Sequence, residues 1–238
     1  MAGSVFFNEK IMDYFEPQYH LLEKNLEEDG LARFGPMSSF TWNSDPKRLL
    51  FVLSRYKFAA RMLQGCNRVI EIGCGDGFGS RIVKQHVDEL LLTDIDPKMV
   101  GEAMRLINRS FPVEVVAHDF IKGTLTDRGV FDGAYLIDVL EHINPAQEES
   151  FFININNCLA SNAKVVIGMP SIESQAYASP GSRAGHINCK TQQELGSTVS
   201  RYFETAFLFG MNDEVMHTGF TPMLNYIFAV CSHPRPYK

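Results

Sequence analysis

The sequence predicts an α/β fold in which a doubly wound, mostly parallel sheet is covered by helices. Two observations support this fold class. From about residue 69 onward, apolar segments of strand length alternate with segments of helical periodicity, and the first apolar segment runs directly into a glycine-rich turn. Parallel neighbours need crossover connections, which are right-handed, and the crossovers place helices on both faces of the sheet.

Length and composition limit the classes of protein to consider. A chain of 238 residues suits one domain with an elaboration. The net charge of −6 argues against a nucleic-acid substrate, and no run of about 18 apolar residues predicts a membrane span. The five cysteines lack Cys-x-x-Cys spacing, so they indicate reduced thiols rather than a zinc cluster or a disulfide framework. We therefore expect a cytoplasmic protein.

Residues 1–64 precede the first strand and are predicted to form a helical extension to a main domain over residues 65–238. Apolar spacing over 11–28 indicates one or two short amphipathic helices, interrupted by Pro17. The segment 30–43 is predicted to be a loop, although it is rich in aromatic residues.

The end of this extension carries a helix start. Ser44-Asp45-Pro46 places a capping side chain before a proline, which predicts a helix over 49–63 that packs beside the sheet. Two roles remain open for the extension: an additional packing layer, or a lid that brings Tyr14 and Trp42 to an acceptor.

The glycine-rich turn follows the first strand, within Val-Ile-Glu-Ile-Gly-Cys-Gly-Asp-Gly-Phe-Gly-Ser over 69–80. Glycines lack the Cβ atoms that would keep a ligand away from the backbone, and the amides of a helix over 78–87 would point at that ligand. The turn has neither the Gly-Lys-Ser/Thr ending of a phosphate-binding loop nor the Gly-x-Gly-x-x-Gly of a dinucleotide fingerprint. By itself it indicates a nucleotide-like ligand or only a tight turn.

Acidic residues stand where the following strands end. The second strand, over 89–94, ends on Asp94, and a ligand of an open parallel sheet sits outside the carboxyl ends of the strands. Asp94 can therefore accept hydrogen bonds from both ribose hydroxyls, or it can be a solvated turn residue, while Asp96 caps the next helix. After a third strand over 113–117, the fourth, over 131–137, leads into Asp-Val-Leu-Glu-His-Ile over 138–143.

Two of these stretches carry a resemblance to a known family. Glu-x-Gly-x-Gly-x-Gly over 71–77 and Asp-Val-Leu-Glu-His-Ile over 138–143 resemble the class I S-adenosylmethionine (SAM) dependent methyltransferases, in particular small-molecule O-methyltransferases of the ubiquinone-biosynthesis type. The resemblance covers about residues 66–231. It implies a Rossmann-like, seven-stranded sheet whose last strand is antiparallel, with the remaining strands over 163–168, 202–209 and 224–231.

The resemblance also implies a cofactor and its contacts. The cofactor would be SAM, leaving S-adenosylhomocysteine (SAH), and the partners would be a small-molecule acceptor and, in solution, a homodimer. Asp119 would accept from the adenine amino group while Phe120 and Ile95 pack on the ring. The full set of implied cofactor contacts is Glu71, Gly73, Cys74, Gly75, Gly77, Asp94, Ile95, Asp119, Phe120 and Asp138.

Two histidines are candidates for catalysis. His142 follows the fourth strand, where the methionine part of the cofactor would lie; otherwise it is a capping or core histidine. His186 lies in a loop of about 20 residues over 169–190, long enough to be functional. Its segment resembles the one in which a histidine of the family faces the acceptor, but it can also simply precede the capping box of Thr191 and Glu194. Predicted acceptor contacts in this loop are Tyr177, Arg183 and Asn188.

The function expected from these residues is methyl transfer to a hydroxyl of a small polar metabolite, such as a sugar or nucleotide-activated precursor of a surface glycan. His142 or His186 would act as base. Open alternatives are N-methylation of a small amine, O-methylation of a quinone or phenol, and a SAM-binding regulatory protein. A metal held by Asp138, Glu141 and the histidines would also activate a hydroxyl, but neighbouring residues on a helix point about 100° apart, so no metal is expected.

Overall fold

The computed structural model describes residue 16 and residues 19–236. Its centre is an eight-stranded sheet in the order β3-β2-β1-β4-β5-β8-β6-β7. The strands are β1 (Arg68–Ile72), β2 (Glu89–Asp94), β3 (Glu114–Ala117), β4 (Phe131–Ile137), β5 (Leu159–Pro170), β6 (Phe203–Asn212), β7 (Val215–His217) and β8 (Tyr226–Pro234).

The five strands β1–β5 pair in parallel, whereas β8 is antiparallel to both β5 and β6. The prediction of a doubly wound, mostly parallel sheet with an antiparallel last strand is confirmed, but the predicted number of seven strands is wrong. The additional strand, β7, pairs with the end of β6. Asp213 has a φ of 51°, which lets the chain turn within two residues between β6 and β7.

Eight α-helices connect and flank the strands in the described part of the chain. They are α1 (His20–Asp29), α2 (Pro36–Ser44), α3 (Pro46–Met62), α4 (Ser80–Lys84), α5 (Pro97–Met104), α6 (Glu148–Asn156), α7 (Pro180–Gly185) and α8 (Gln192–Val199). Three predicted caps are present: Asp45 accepts from the Lys47 amide, Asp96 from the Lys98 amide, and Thr191 forms a capping box with Glu194.

Three segments differ from the prediction. The segment 30–43 is not all loop, because α2 begins at Pro36, where the missing N–H of proline costs no hydrogen bond. Helix α4 is limited to Ser80–Lys84, since the turn continues through Gly79. The segment 169–190 contains the end of β5, a short 3-10 helix over Glu173–Tyr177 and α7.

Hydrophobic cores cover both faces of the sheet. On one face α6 and α8 pack against the strands, and on the other α3, α4 and α5 do so. Tyr56 and Leu63 of α3 share the second core with Val69 and Leu92 of the strands, which confirms that α3 packs beside the sheet. The domain division at residue 64 stays a prediction. Among residues 16 and 19–236, no helix is both long and apolar enough to cross a bilayer.

Candidate active site

The glycine-rich turn needs its glycines for conformation as well as for access. Gly73, Gly75 and Gly77 have φ values of 76°, 54° and 73°, which favour glycine. A Cβ atom on Gly73 would also overlap the side chain of Val139, which follows β4. The Gly73 amide donates to the carbonyl of Thr93 at 2.8 Å, so the turn is attached to the end of β2.

Asp94, at the end of β2, stabilises the same turn through hydrogen bonds. Its carboxylate accepts from the Gly75 amide at 2.8 Å and from the Asp96 amide at 2.9 Å. The next side chain, Ile95, is 62% exposed and presents an apolar surface beside the turn. This arrangement supports the ribose and adenine roles predicted for the two residues, which stay predictions.

Glu71 lies near the end of β1, just before the turn, and its role as a cofactor contact stays a prediction. Its side chain is fully buried, and the Tyr135 hydroxyl donates to it at 2.6 Å. Burial raises the pKa of the Glu71 carboxyl to about 7. Cys74 is also buried, and burial raises the pKa of its thiol, so only its backbone is available to a ligand.

Asp119 and Phe120, which follow the end of β3, lie in different surroundings: Asp119 forms an ion pair and Phe120 is part of the core. Asp119 accepts from the Ile121 amide at 3.0 Å and pairs with Lys122 at 2.9 Å; its hydrogen bond with Lys122 lowers the pKa of its carboxyl. The Phe120 ring is buried in the core and lies nearly perpendicular to the ring of His118, and its contact with adenine stays a prediction. The adenine contact of Asp119 stays a prediction.

Asp138 begins the segment after β4 in a left-handed conformation, with a φ of 58°. Its carboxylate pairs at 2.6 Å with Arg55, which reaches it from α3 and lies 4.0 Å above the ring of Tyr226. Burial disfavours the charge on Arg55, but the attraction of Asp138 raises the pKa of its guanidinium overall. Arg55 could not be predicted from the sequence, because no local signal links two residues so far apart along the chain.

Glu141 has a buried carboxyl group whose two oxygens accept no hydrogen bond in the described part of the chain. The residue is 1% exposed. Burial and the nearby charge of Asp138 raise the pKa of this carboxyl well above its ordinary value. Its backbone carbonyl accepts from the amides of Ile187 and Asn188, both at 2.9 Å, and so brings the loop of His186 to this position.

The imidazole of His142 is oriented by the same loop. Its Nδ1 lies 2.9 Å from the carbonyl oxygen of Gly185, and a carbonyl can only accept, so Nδ1 carries the proton. The lone pair of the neutral ring is therefore on Nε2, which lies 3.9 Å from Oε1 of Glu141.

The imidazole of His186 is also held by a hydrogen bond at Nδ1. Its Nδ1 lies 2.9 Å from Oε1 of Gln175, whose amide nitrogen donates to Ser171 and Ser174, both at 3.2 Å. The amide therefore presents its oxygen to His186, and the lone pair of this ring is again on Nε2. Burial and neighbouring His142 lower the pKa of His186.

The two predicted catalytic histidines therefore lie together. Their ring centroids are 5.2 Å apart, and one ligand atom from each of Glu141, His142 and His186 lies within 4.8 Å of the others. We call these three residues the Glu-His-His cluster. Two imidazole nitrogens and a carboxylate oxygen are ligands that divalent metals accept. The spacing of Glu141 and His142 alone does not predict a metal site, because the third potential ligand, His186, comes from a distant loop.

The predicted acceptor contacts separate into two groups. Asn188 is 7% exposed, and its amide donates to Glu148 and accepts from Lys190, both at 3.0 Å. These hydrogen bonds stabilise the loop, and the role of Asn188 as an acceptor contact stays a prediction. Other predicted contacts are exposed and stay predictions: Tyr177 and Arg183 on the loop of His186, and Trp42 at the end of α2. Tyr14 lies outside the described residues.

Comparisons with known proteins agree with this geometry. Residues 69–162 match the family model described as "Methyltransferase domain". No curated protein sequence matches the chain. Similar solved structures include the N-methyltransferase NodS from Bradyrhizobium japonicum WM9 in complex with SAH, with 17% identity and a TM-score of 0.59 over 92% of this chain and 100% of that one.

Two further structures are similar over most of their length. The plantazolicin methyltransferase BpumL in complex with SAH has 14% identity and a TM-score of 0.60, over 83% of this chain and 89% of that one. The methyltransferase domain of bacterial CtHen1-CN has 13% identity and a TM-score of 0.60, over 75% of this chain and 97% of that one. At these identities the likeness shows the fold.

Residues 69–162 match the methyltransferase-domain model, and the sheet and helices form the Rossmann-like fold of SAM-dependent methyltransferases, so both agree with the family predicted from the sequence. The SAH bound in the NodS and BpumL structures is consistent with the cofactor predicted from the sequence. The finer likeness to ubiquinone-biosynthesis enzymes stays a prediction.

Proposed function

We propose that this methyltransferase transfers the methyl group to a hydroxyl of a small polar acceptor, such as a sugar or a nucleotide-activated glycan precursor. The observation that supports this proposal is the Glu-His-His cluster. In both imidazoles Nδ1 is bound to a local acceptor, which leaves Nε2 free, and the two rings lie beside the buried Glu141 side chain, after the strand end where the methionine part of SAM is predicted to lie. A hydroxyl needs such a base because it is a weak nucleophile until its proton is removed.

In this proposal the protein aligns the acceptor hydroxyl with the methyl group of SAM and removes the proton of that hydroxyl. SAM supplies a methyl group already activated on a sulfonium, so the protein must hold the acceptor oxygen in line with it. His186 has a lowered pKa and is therefore neutral at pH 7, as a proton acceptor must be. His142 and His186 are the two candidate bases, and their Nδ1 hydrogen bonds keep both Nε2 atoms available.

The same cluster fits a divalent cation. The fit rests on Glu141, a buried carboxylate whose oxygens have no partner among the residues that the structure describes. A divalent cation would lower the pKa of an acceptor hydroxyl. In this variant the two histidines and Glu141 hold the cation, and Glu141 must be deprotonated to do so.

SAH release with a panel of acceptors tests the proposal. The panel contains sugars, nucleotide sugars, phenols and small amines, and the product is identified by mass spectrometry. We expect His142→Ala and His186→Ala each to lower kcat by roughly 10²- to 10⁴-fold. His86→Ala is the matched control, because His86 precedes β2 at the amino ends of the strands and should leave kcat unchanged. Full turnover in both test variants would exclude the cluster from catalysis.

A chelator distinguishes the two ways of removing the proton. If a cation is held, EDTA abolishes turnover and added Mg²⁺ or Mn²⁺ restores it, and Glu141→Gln lowers kcat and weakens the response to the metal. If a histidine is the base, EDTA has no effect on the wild type. The second readout is direct titration of the protein with Mn²⁺, which does not depend on activity.

N-methylation of a small amine is the second candidate function, and its support is the likeness to the N-methyltransferase NodS. An amine needs only to be deprotonated before it attacks, so this function predicts a methylated amine product and little effect of either histidine substitution. An O-methylated phenol or quinone would instead keep the dependence on the cluster.

A further inference from the structure

Asp76 stands within the glycine-rich turn but faces the helical extension. Its side chain is buried, and the residue is 5% exposed. The carboxylate accepts from the Ser38 amide at 2.8 Å and from the Ser38 hydroxyl at 3.2 Å. It also accepts from the Phe78 amide at 3.3 Å, within its own turn. One carboxylate therefore joins the cofactor turn to α2.

Helix α2 has no cap of its own. Gly35, at the N-cap position, has no side chain to offer, and Ser38 is the third helical residue, whose amide lacks a partner within the helix. Asp76 supplies the missing acceptor from 38 positions away along the chain. Its negative charge also suits the positive end of the helix dipole.

Three further contacts bring α2 and the turn together. A Cβ atom on Gly35 would overlap the Asp76 side chain, so glycine permits the close approach. The ring of Phe34 meets the ring of Phe78 edge-on, with centroids 4.9 Å apart. The sulfur of Met37 lies 2.8 Å from where a Cβ atom of Gly75 would stand. The helix therefore rests directly on the turn that the cofactor is expected to contact.

We propose that Asp76 is a positioning residue that couples cofactor binding to the placement of α2. Binding of SAM or SAH holds the turn in one conformation, and the Asp76 carboxylate then holds the first turn of α2. Without the cofactor the turn is less constrained and the cap of α2 is weaker. This inference goes beyond methyl transfer and depends on no particular acceptor.

Amide hydrogen exchange with and without SAH tests the coupling. In the wild type we expect SAH to slow exchange of the α2 amides over residues 39–44. In Asp76→Ala these amides should exchange about fivefold faster in the SAH-bound protein, as expected for a lost helix cap, and SAH should no longer slow them. Asp76→Asn keeps an acceptor oxygen and should restore part of the response.

Asp45→Ala is the matched control, since Asp45 caps α3 through a local bond to the Lys47 amide. It should speed exchange at the start of α3 and leave the response of α2 to SAH unchanged. If Asp76→Ala does not fold, Gly35→Ala displaces the same carboxylate and should give the same loss of response.

Two results would overturn the proposal. One is that SAH does not slow exchange of the α2 amides in the wild type. The other is that SAH slows these amides in Asp76→Ala as much as in the wild type. Because the measurement uses SAH without an acceptor, its outcome is independent of whether hydroxyl groups are methylated.

Discussion

At the scale of single residues, Asp94 combines two tasks in the predicted cofactor site. Its oxygens already accept from the Gly75 and Asp96 amides, at 2.8 and 2.9 Å, so the carboxylate is fixed before any ligand binds. Each carboxylate oxygen has a second lone pair and can still accept from a ribose hydroxyl. A preorganised, charged acceptor is worth more to a ligand than one that must first be ordered.

We predict that Asp94→Ala weakens SAH binding roughly 10- to 100-fold, because hydrogen bonds to a charged group are lost and the turn is loosened. Calorimetry with SAH measures the change. Asp96→Ala is the control, since Asp96 caps α5 through the Lys98 amide and should affect stability but not affinity. Equal SAH affinity for the wild type and Asp94→Ala would refute the ribose assignment.

At the scale of elements, the turn after β1 and the segment after β4 are packed against each other at one point. Gly73 has a φ of 76°, and a Cβ atom on it would overlap Val139. Two separate penalties therefore oppose a side chain at Gly73: an unfavourable backbone conformation and overpacking against its neighbour.

We predict that Gly73→Ala lowers the free energy of unfolding by about 2 to 4 kcal/mol, as the sum of these penalties. The double variant Gly73→Ala/Val139→Ala should recover the part due to overpacking and keep the backbone part, so the two substitutions should not be additive. Urea unfolding of the wild type, both single variants and the double variant measures the coupling. If the losses of unfolding free energy are additive, residues 73 and 139 do not overpack in the Gly73→Ala variant.

Elements with local signals were predictable from the sequence. Asp45-Pro46, Asp96-Pro97 and the pair Thr191 and Glu194 each place a cap within a few residues of its helix, and all three caps are present. Helix α2 was missed because its cap, Asp76, comes from a distant part of the chain. The sequence around Gly35-Pro36 therefore had the appearance of a loop.

The site followed the same division. The glycines, Asp94 and both histidines could be proposed as site residues from motifs, because each stands next to a strand end or in a characteristic run. The pairing of Arg55 with Asp138 could not, since it depends on how α3 packs on the sheet. The convergence of His142 and His186 also depends on folding, through the amides of residues 187 and 188 that donate to Glu141.

At the scale of the whole molecule, hydrophobic cores cover both faces of the sheet. Glu71 is an ionisable residue that lies in the middle of this sheet. It lies on β1, between β2 and β4, and is fully buried with the Tyr135 hydroxyl as a donor. Burial raises the pKa of its carboxyl from an ordinary 4.5 to about 7. The folded protein therefore binds a proton there, in a pH range where the unfolded chain has lost it.

We predict that the stability of the protein falls as the pH rises from about 4.5 to about 7, because the folded state must give up this proton, and that the fall from Glu71 ends above pH 7. The whole effect is about 3 kcal/mol. Glu71→Gln keeps an oxygen for the Tyr135 hydroxyl but does not titrate, so its unfolding free energy should depend less on pH. Urea unfolding between pH 5 and pH 8 measures this, with Glu204→Gln on the exposed side of β6 as the control. A wild-type pH dependence in Glu71→Gln would show that other groups cause the fall.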